Sequence, residues 1–158
     1  MIGRNVKNAI YAGLAAGLVF GIIMWQLGML PAIAGLIGQE TAVMGFVVHM
    51  AVSLLVAIGF GLVFGGLVQG VGSGIFWGMI YGAAWWVIGP LTLVPYIMGQ
   101  GLGANWTVEL ATALFPSLIG HLVFGTVLGV VFGALRRAPV VPVIVETRTV
   151  IERTVTLP

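Results

Sequence analysis

Between residues 8 and 135 the chain contains no Lys, Arg or Asp, and Glu40 and Glu109 are the only side chains there with a formal charge. A water-soluble domain of that length needs a polar, charged exterior, and this stretch has nothing with which to build one. It is long enough, however, for several membrane crossings at roughly 20 apolar residues each. A mean hydropathy of +1.18 and 60% hydrophobic residues point the same way. The expected fold class is an all-α membrane protein.

Prolines and glycines divide the stretch into four predicted helices at about 8–29, 44–68, 74–89 and 113–135. Pro31 stops the first, Pro90 and Pro95 end or kink the third, and Pro116 lies in the opening turns of the fourth. The turn at 69–73 is short, glycine-rich and uncharged, so the third helix is expected to return directly beside the second. The connections at 30–43 and 91–106 are themselves apolar, which calls for short interfacial or re-entrant helices that satisfy their own backbone. The stretch 107–115, with Glu109 and Thr112, reads as amphipathic and interfacial.

Arg4 and Lys7 precede the apolar stretch, and Arg136 and Arg137 follow it. Positive flanks stay in the cytoplasm, so the number of crossings is even and both ends are placed on the cytoplasmic face of the cell inner (plasma) membrane. The apolar run 9–30 exceeds the roughly 7 to 15 residues of a signal-peptide core, so it reads as a retained helix despite the cleavage-like Ala32-Ile33-Ala34. The domain then covers 1–137. Residues 138–158, with Pro139, Pro142 and many β-branched side chains, read as an extended or disordered cytoplasmic tail, or as a strand that pairs with a partner.

The helices carry ladders of small residues. Gly13, Gly17 and Gly21 are answered by Gly74, Gly78 and Gly82; His49 with Phe60 and Gly61 is answered by His121 with Phe132 and Gly133. These echoes predict a tandem repeat of two helical hairpins related by a twofold along the membrane normal. In lipid, where burial gives helices little reason to associate, small residues at four-residue spacing permit close backbone approach.

His49 and His121 each stand about 7 to 8 Å below the same membrane face, counted at 1.5 Å per residue, and Gln26 reaches a similar level. An ionisable side chain at that depth is a functional candidate by default. Its plain alternative is a neutral imidazole bonded to Gln26, a backbone carbonyl or a trapped water. The first ligand reading is a haem or chlorophyll-type pigment held axially by His49 and His121, with Gly61 and Gly125 clearing space for its face and Gln26 nearby. Haem propionates at the outer face would meet no Lys or Arg in either connection. The second is a soft metal on His49, His121, Met44 and Met50, with Met24, Met29 and Met98 in the same half. The third is a carrier or channel for a metal ion or small solute, although helix three below Pro90 is read as offering no polar side chain to continue a path. No cofactor at all is the default.

Catalysis has no foothold. Cys and Asp are absent, and Ser53, Ser73 and Ser117 have no adjacent acid–base pair. The small basic surface excludes nucleic acid as a partner. A packing or accessory subunit of a larger membrane assembly, bound to lipid and to other subunits or to a second copy, fits adhesive helices without a catalytic set.

The run 121–135, with His121, Gly125, Gly129, Phe132 and Gly133, resembles the closing helix of an uncharacterised family of small bacterial four-helix membrane proteins. The region around His49 and the connection Leu93-Val94-Pro95-Tyr96-Ile97-Met98-Gly99 are similar to it in layout, so the resemblance spans about residues 5–137. It implies a bacterial integral membrane protein of four helices and carries no particular activity with it.

Overall fold

A computed structural model describes residues 2–136, so the expectations for Arg137 and for 138–158 lie outside the described residues. Four helices are each long and apolar enough to cross a membrane: α1 (Ile2–Gln26), α3 (Ala42–Val63), α4 (Val71–Ile88, continuing helically to Ile97) and α7 (Phe115–Leu135). Between them lie α2 (Leu30–Ala34) with a 3-10 turn (Gly35–Ile37), α5 (Val94–Ile97) and α6 (Val108–Ala113). No strand occurs among the described residues. One end of the bundle carries Arg4, Lys7 and Arg136, and is called the basic end; the connections with α2, α5 and α6 gather at the far end.

Several helix ends differ from their predicted positions, each for a local reason. The first helix begins at Ile2, with Arg4 and Lys7 inside its opening turns and exposed, while Asn5 and Asn8 turn into the bundle. It stops at Gln26 rather than at Met29, because Gly28 takes a left-handed φ of 66°. The amides of Gly28 and Met29 then fold back on the carbonyls of Trp25 (3.1 Å) and Met24 (2.9 Å), closing the helix before Pro31 is reached. Pro31 instead opens α2, where a missing N–H costs nothing. The second long helix starts at Ala42 because the Thr41 hydroxyl accepts from the Met44 amide at 3.2 Å.

Pro90 does not end the third crossing. Its missing amide shifts the ladder to a π turn over Gly89–Leu93, in which the Val94 amide bonds the Gly89 carbonyl. Two carbonyls beside the irregularity take side-chain bonds. Thr92 Oγ1 donates to the Val87 carbonyl at 2.7 Å, and Asn105 Nδ2 donates to the Pro90 carbonyl at 3.0 Å. These bonds satisfy backbone that the interrupted ladder serves less well.

Two antiparallel seams hold the helices. In the α4–α7 seam a Cβ on Gly74, Gly78 or Gly82 would strike the carbonyl of Gly129, Gly125 or His121 in turn, and the contacts are returned from Gly125 and Gly129. Backbone meets backbone, the distance at which Cα–H groups face carbonyl oxygens. In the α1–α3 seam Gly13 faces Ala57, Gly17 faces Ser53, and Gly21 faces Phe46 and His49. The pairs are joined mainly through α1 and α7, with Gly120 receiving the Phe20 ring.

The short turn does not bring α4 directly against α3, contrary to the expectation from its length. Rings stand between them: Phe60 of α3 and Phe64 just past its end meet Trp77 and Tyr81 of α4 at centroid distances of 5.4 to 5.5 Å. A tight turn fixes only the separation of the helix ends beside it, and ring bulk sets the rest.

At the basic end Arg136 Nη1 donates to Asn5 Oδ1 at 2.6 Å, and the guanidinium lies 6.0 Å from the centroid of the Phe132 ring. Arg136→Ala and Asn5→Ala are each expected to lower stability by about 1 kcal/mol, measured by denaturation in mixed micelles. The double variant should lose less than the sum; full additivity would show that the pair is not coupled.

Candidate functional site

The helices α3 and α7 bring His49 and His121 against one aromatic neighbour. The Phe20 ring of α1 lies 5.4 Å from each imidazole centroid, at interplanar angles of 85° to His49 and 68° to His121. Small residues make this possible. Gly17 and Gly21 allow α3 to press His49 against α1, and the notch at Gly120 admits Phe20 beside His121.

Each imidazole is fastened to a backbone carbonyl, by a different nitrogen. His49 Nε2 donates to Gly17 on α1 at 3.0 Å, whereas His121 Nδ1 donates to Ser117 on its own helix at 2.8 Å. A carbonyl can only accept, so these bonds assign the proton to Nε2 of His49 and to Nδ1 of His121. The hydroxyls of Ser53 and Ser117 lie beside the same two nitrogens, at 3.4 and 3.5 Å. Among the described residues His49 Nδ1 and His121 Nε2 have no hydrogen-bond partner, yet no side-chain nitrogen or oxygen is both sealed and unpartnered. The two free nitrogens therefore border open space.

Both histidines line a chamber of about 310 Å³ in the far half of the bundle, together with Phe20, Met24, Met29, Trp85, Phe124 and the π turn, and His121 Nε2 lies beside Gly89 of that wall. Its wall is almost entirely apolar. Val52, Leu93 and Ile97 are its exposed members, which puts the mouth on the side of the bundle between α3 and the α4–α5 run. Towards the basic end the same gap is filled by Phe60, Phe64, Trp77 and Tyr81. Tyr81 is a polar side chain on this path that the sequence reading passed over; its hydroxyl is occupied, donating to the Val56 carbonyl at 2.8 Å. A broader hollow of about 460 Å³ beside Asn105 and Trp106 lies open on the surface and has no histidine in its wall.

The other predicted site residues lie elsewhere. Gln26 is exposed and bonds neither imidazole. Gly61 packs on Ala9 and Asn5, and Gly125 packs on Gly78, so both spaces assigned to a flat ligand are filled by neighbouring helices. Met44 and Met50 are outside the chamber wall, whereas Met24 and Met29 form part of it. Glu40 and Glu109 are exposed. Among the described residues no three His, Asp or Glu side chains gather in metal-binding range. The filled glycine notches and the Phe20 ring against both imidazoles do not fit a tetrapyrrole clamped between the histidines.

Phe20 and the π turn have no counterpart among the predicted site features, and Trp85 and Ser117 stand at the site without having been expected there. A signal for the π turn was present in Gly89-Pro90, a proline preceded by the one residue that leaves its surroundings open. No family model, curated protein or solved structure matches the chain.

Proposed function

We propose that the protein is a non-enzymatic accessory subunit of the bacterial inner membrane that holds a small lipophilic molecule in the chamber between its hairpins. The observation that carries this reading is an apolar chamber, open to the side of the bundle, whose wall includes two imidazoles that each leave one nitrogen unbonded. Ligand sites combine apolar walls with a few placed polar atoms in this way. The basic end of the bundle, where Arg4, Lys7 and Arg136 gather, is assigned to the cytoplasmic side.

The reading includes a tandem repeat. Gly13–Ala57, Gly17–Ser53 and Gly21–His49 in the first hairpin run in the same order as Gly74–Gly129, Gly78–Gly125 and Gly82–His121 in the second. Matching contacts between equivalent positions are what duplication of one hairpin leaves behind.

The test is extraction into lipid-polymer discs from the native host, followed by organic extraction and mass spectrometry. A small molecule at a constant ratio to protein is expected, and Gly89→Leu should reduce it to background. A Cβ at Gly89 would lie 4.0 Å from His121 Nε2, so the added side chain enters the chamber, and unchanged yield and helicity of the variant separate that filling from strain beside Pro90. Protein that co-purifies with other subunits but carries no molecule would leave a packing role and remove the binding one.

A further inference from the structure

We infer that the chamber selects a ring compound bearing a hydroxyl, a lipophilic phenol, which enters sideways from the bilayer between α3 and the α4–α5 run. This rests on the reading of the chamber as a binding site. A neutral imidazole has one N–H, and in both rings that hydrogen is committed to a carbonyl, on Gly17 for His49 and on Ser117 for His121. His49 Nδ1 and His121 Nε2 therefore offer lone pairs and no hydrogen. A ligand carbonyl or ether facing them gains nothing, whereas a hydroxyl donates. The Ser53 and Ser117 hydroxyls sit beside the nitrogens already bonded, not the free ones.

The rest of the wall sets the body of the ligand. A dry cavity of about 150 Å³ admits benzene, so about 310 Å³ admits a body of one or two rings, with any tail left in the lipid. Met24 and Met29 bring polarisable sulfur, and Trp85 and Phe124 bring aromatic surface, all favourable against a flat ring. The exposed wall residues Val52, Leu93 and Ile97 are apolar, so the mouth admits molecules dissolved in acyl chains rather than in water. A metal cation is the poorer occupant, because no carboxylate lies on the wall to balance its charge.

The probes are 2-naphthol and its methyl ether, 2-methoxynaphthalene, which share a body and differ in the donor. Binding to the full chain in lipid nanodiscs is measured by equilibrium dialysis and referenced to protein-free discs, which removes bilayer partitioning. The naphthol is expected to bind about tenfold more tightly, the worth of one buried hydrogen bond. His121→Phe should bring the affinities of the two probes within about threefold of each other, the ratio being the readout whatever the affinity of each. If that variant does not fold, the ¹⁵N resonance of His121 Nε2 in the unaltered protein gives the same answer by shifting with naphthol and not with the ether. Equal binding of both probes would overturn the hydroxyl selection and leave the chamber as a ligand site. Failure of both probes to bind would overturn the two readings together.

Discussion

Gly125→Val is expected to abolish the folded bundle, with loss of monodisperse protein after detergent extraction and a destabilisation of about 3 kcal/mol or more. A Cβ at this position already overlaps the Gly78 carbonyl, lying 2.8 Å from its carbon and 3.2 Å from the Gly82 Cα. The obstacle is main chain, which has no rotamer to change. Helix α7 must back away from α4, and the contacts at Gly74–Gly129 and Gly82–His121 open with it. In lipid no hydrophobic gain offsets that loss. The same substitution at Gly3, where nothing lies within 4 Å, is expected to be silent. A Gly125→Val protein with unchanged yield and denaturation midpoint would mean that the seam does not hold the bundle together.

Phe60→Ala is expected to cost about 3 kcal/mol. The ring is 0% exposed and meets Phe64, Tyr81 and Phe132 at centroid distances of 5.5, 5.4 and 5.4 Å. It spaces α3 from α4 and also joins the hairpins through Phe132. Its removal leaves a void that backbone cannot enter, since the adjacent seams are already closed. Phe76→Ala serves as the comparison: its ring is 58% exposed and should change stability by less than about 0.5 kcal/mol. Thermal unfolding in detergent measures both, and similar midpoints for the two variants would remove the spacer role from Phe60.

The number and rough placement of the crossings were legible because they follow from which residues lipid tolerates, a property of each segment alone. That the two histidines come to one ring follows from equally local information, since each stands at a similar distance from the far end of its own helix. What escaped the sequence depends on partners distant along the chain. Pro90 is passed by a π turn beside which Thr92 and Asn105 bond two carbonyls, and Asn105 lies in another segment. Gly61 and Gly125 announced smooth faces, but spacing gives no information on what lies opposite, and helices fill both. The chamber was the least legible feature, because its wall draws on nearly every element and no single segment carries its outline.

The two histidines look interchangeable from their surroundings in sequence, yet their anchors make them unequal. His49 grips another helix, so exchanging it loosens a joint between α1 and α3 whatever else it does. His121 makes its hydrogen bonds within its own helix, and what it touches on α1 is the apolar Phe20 ring. Mutational loss at position 49 thus mixes scaffold with chemistry, and position 121 is where the chemistry is read with less of that mixture.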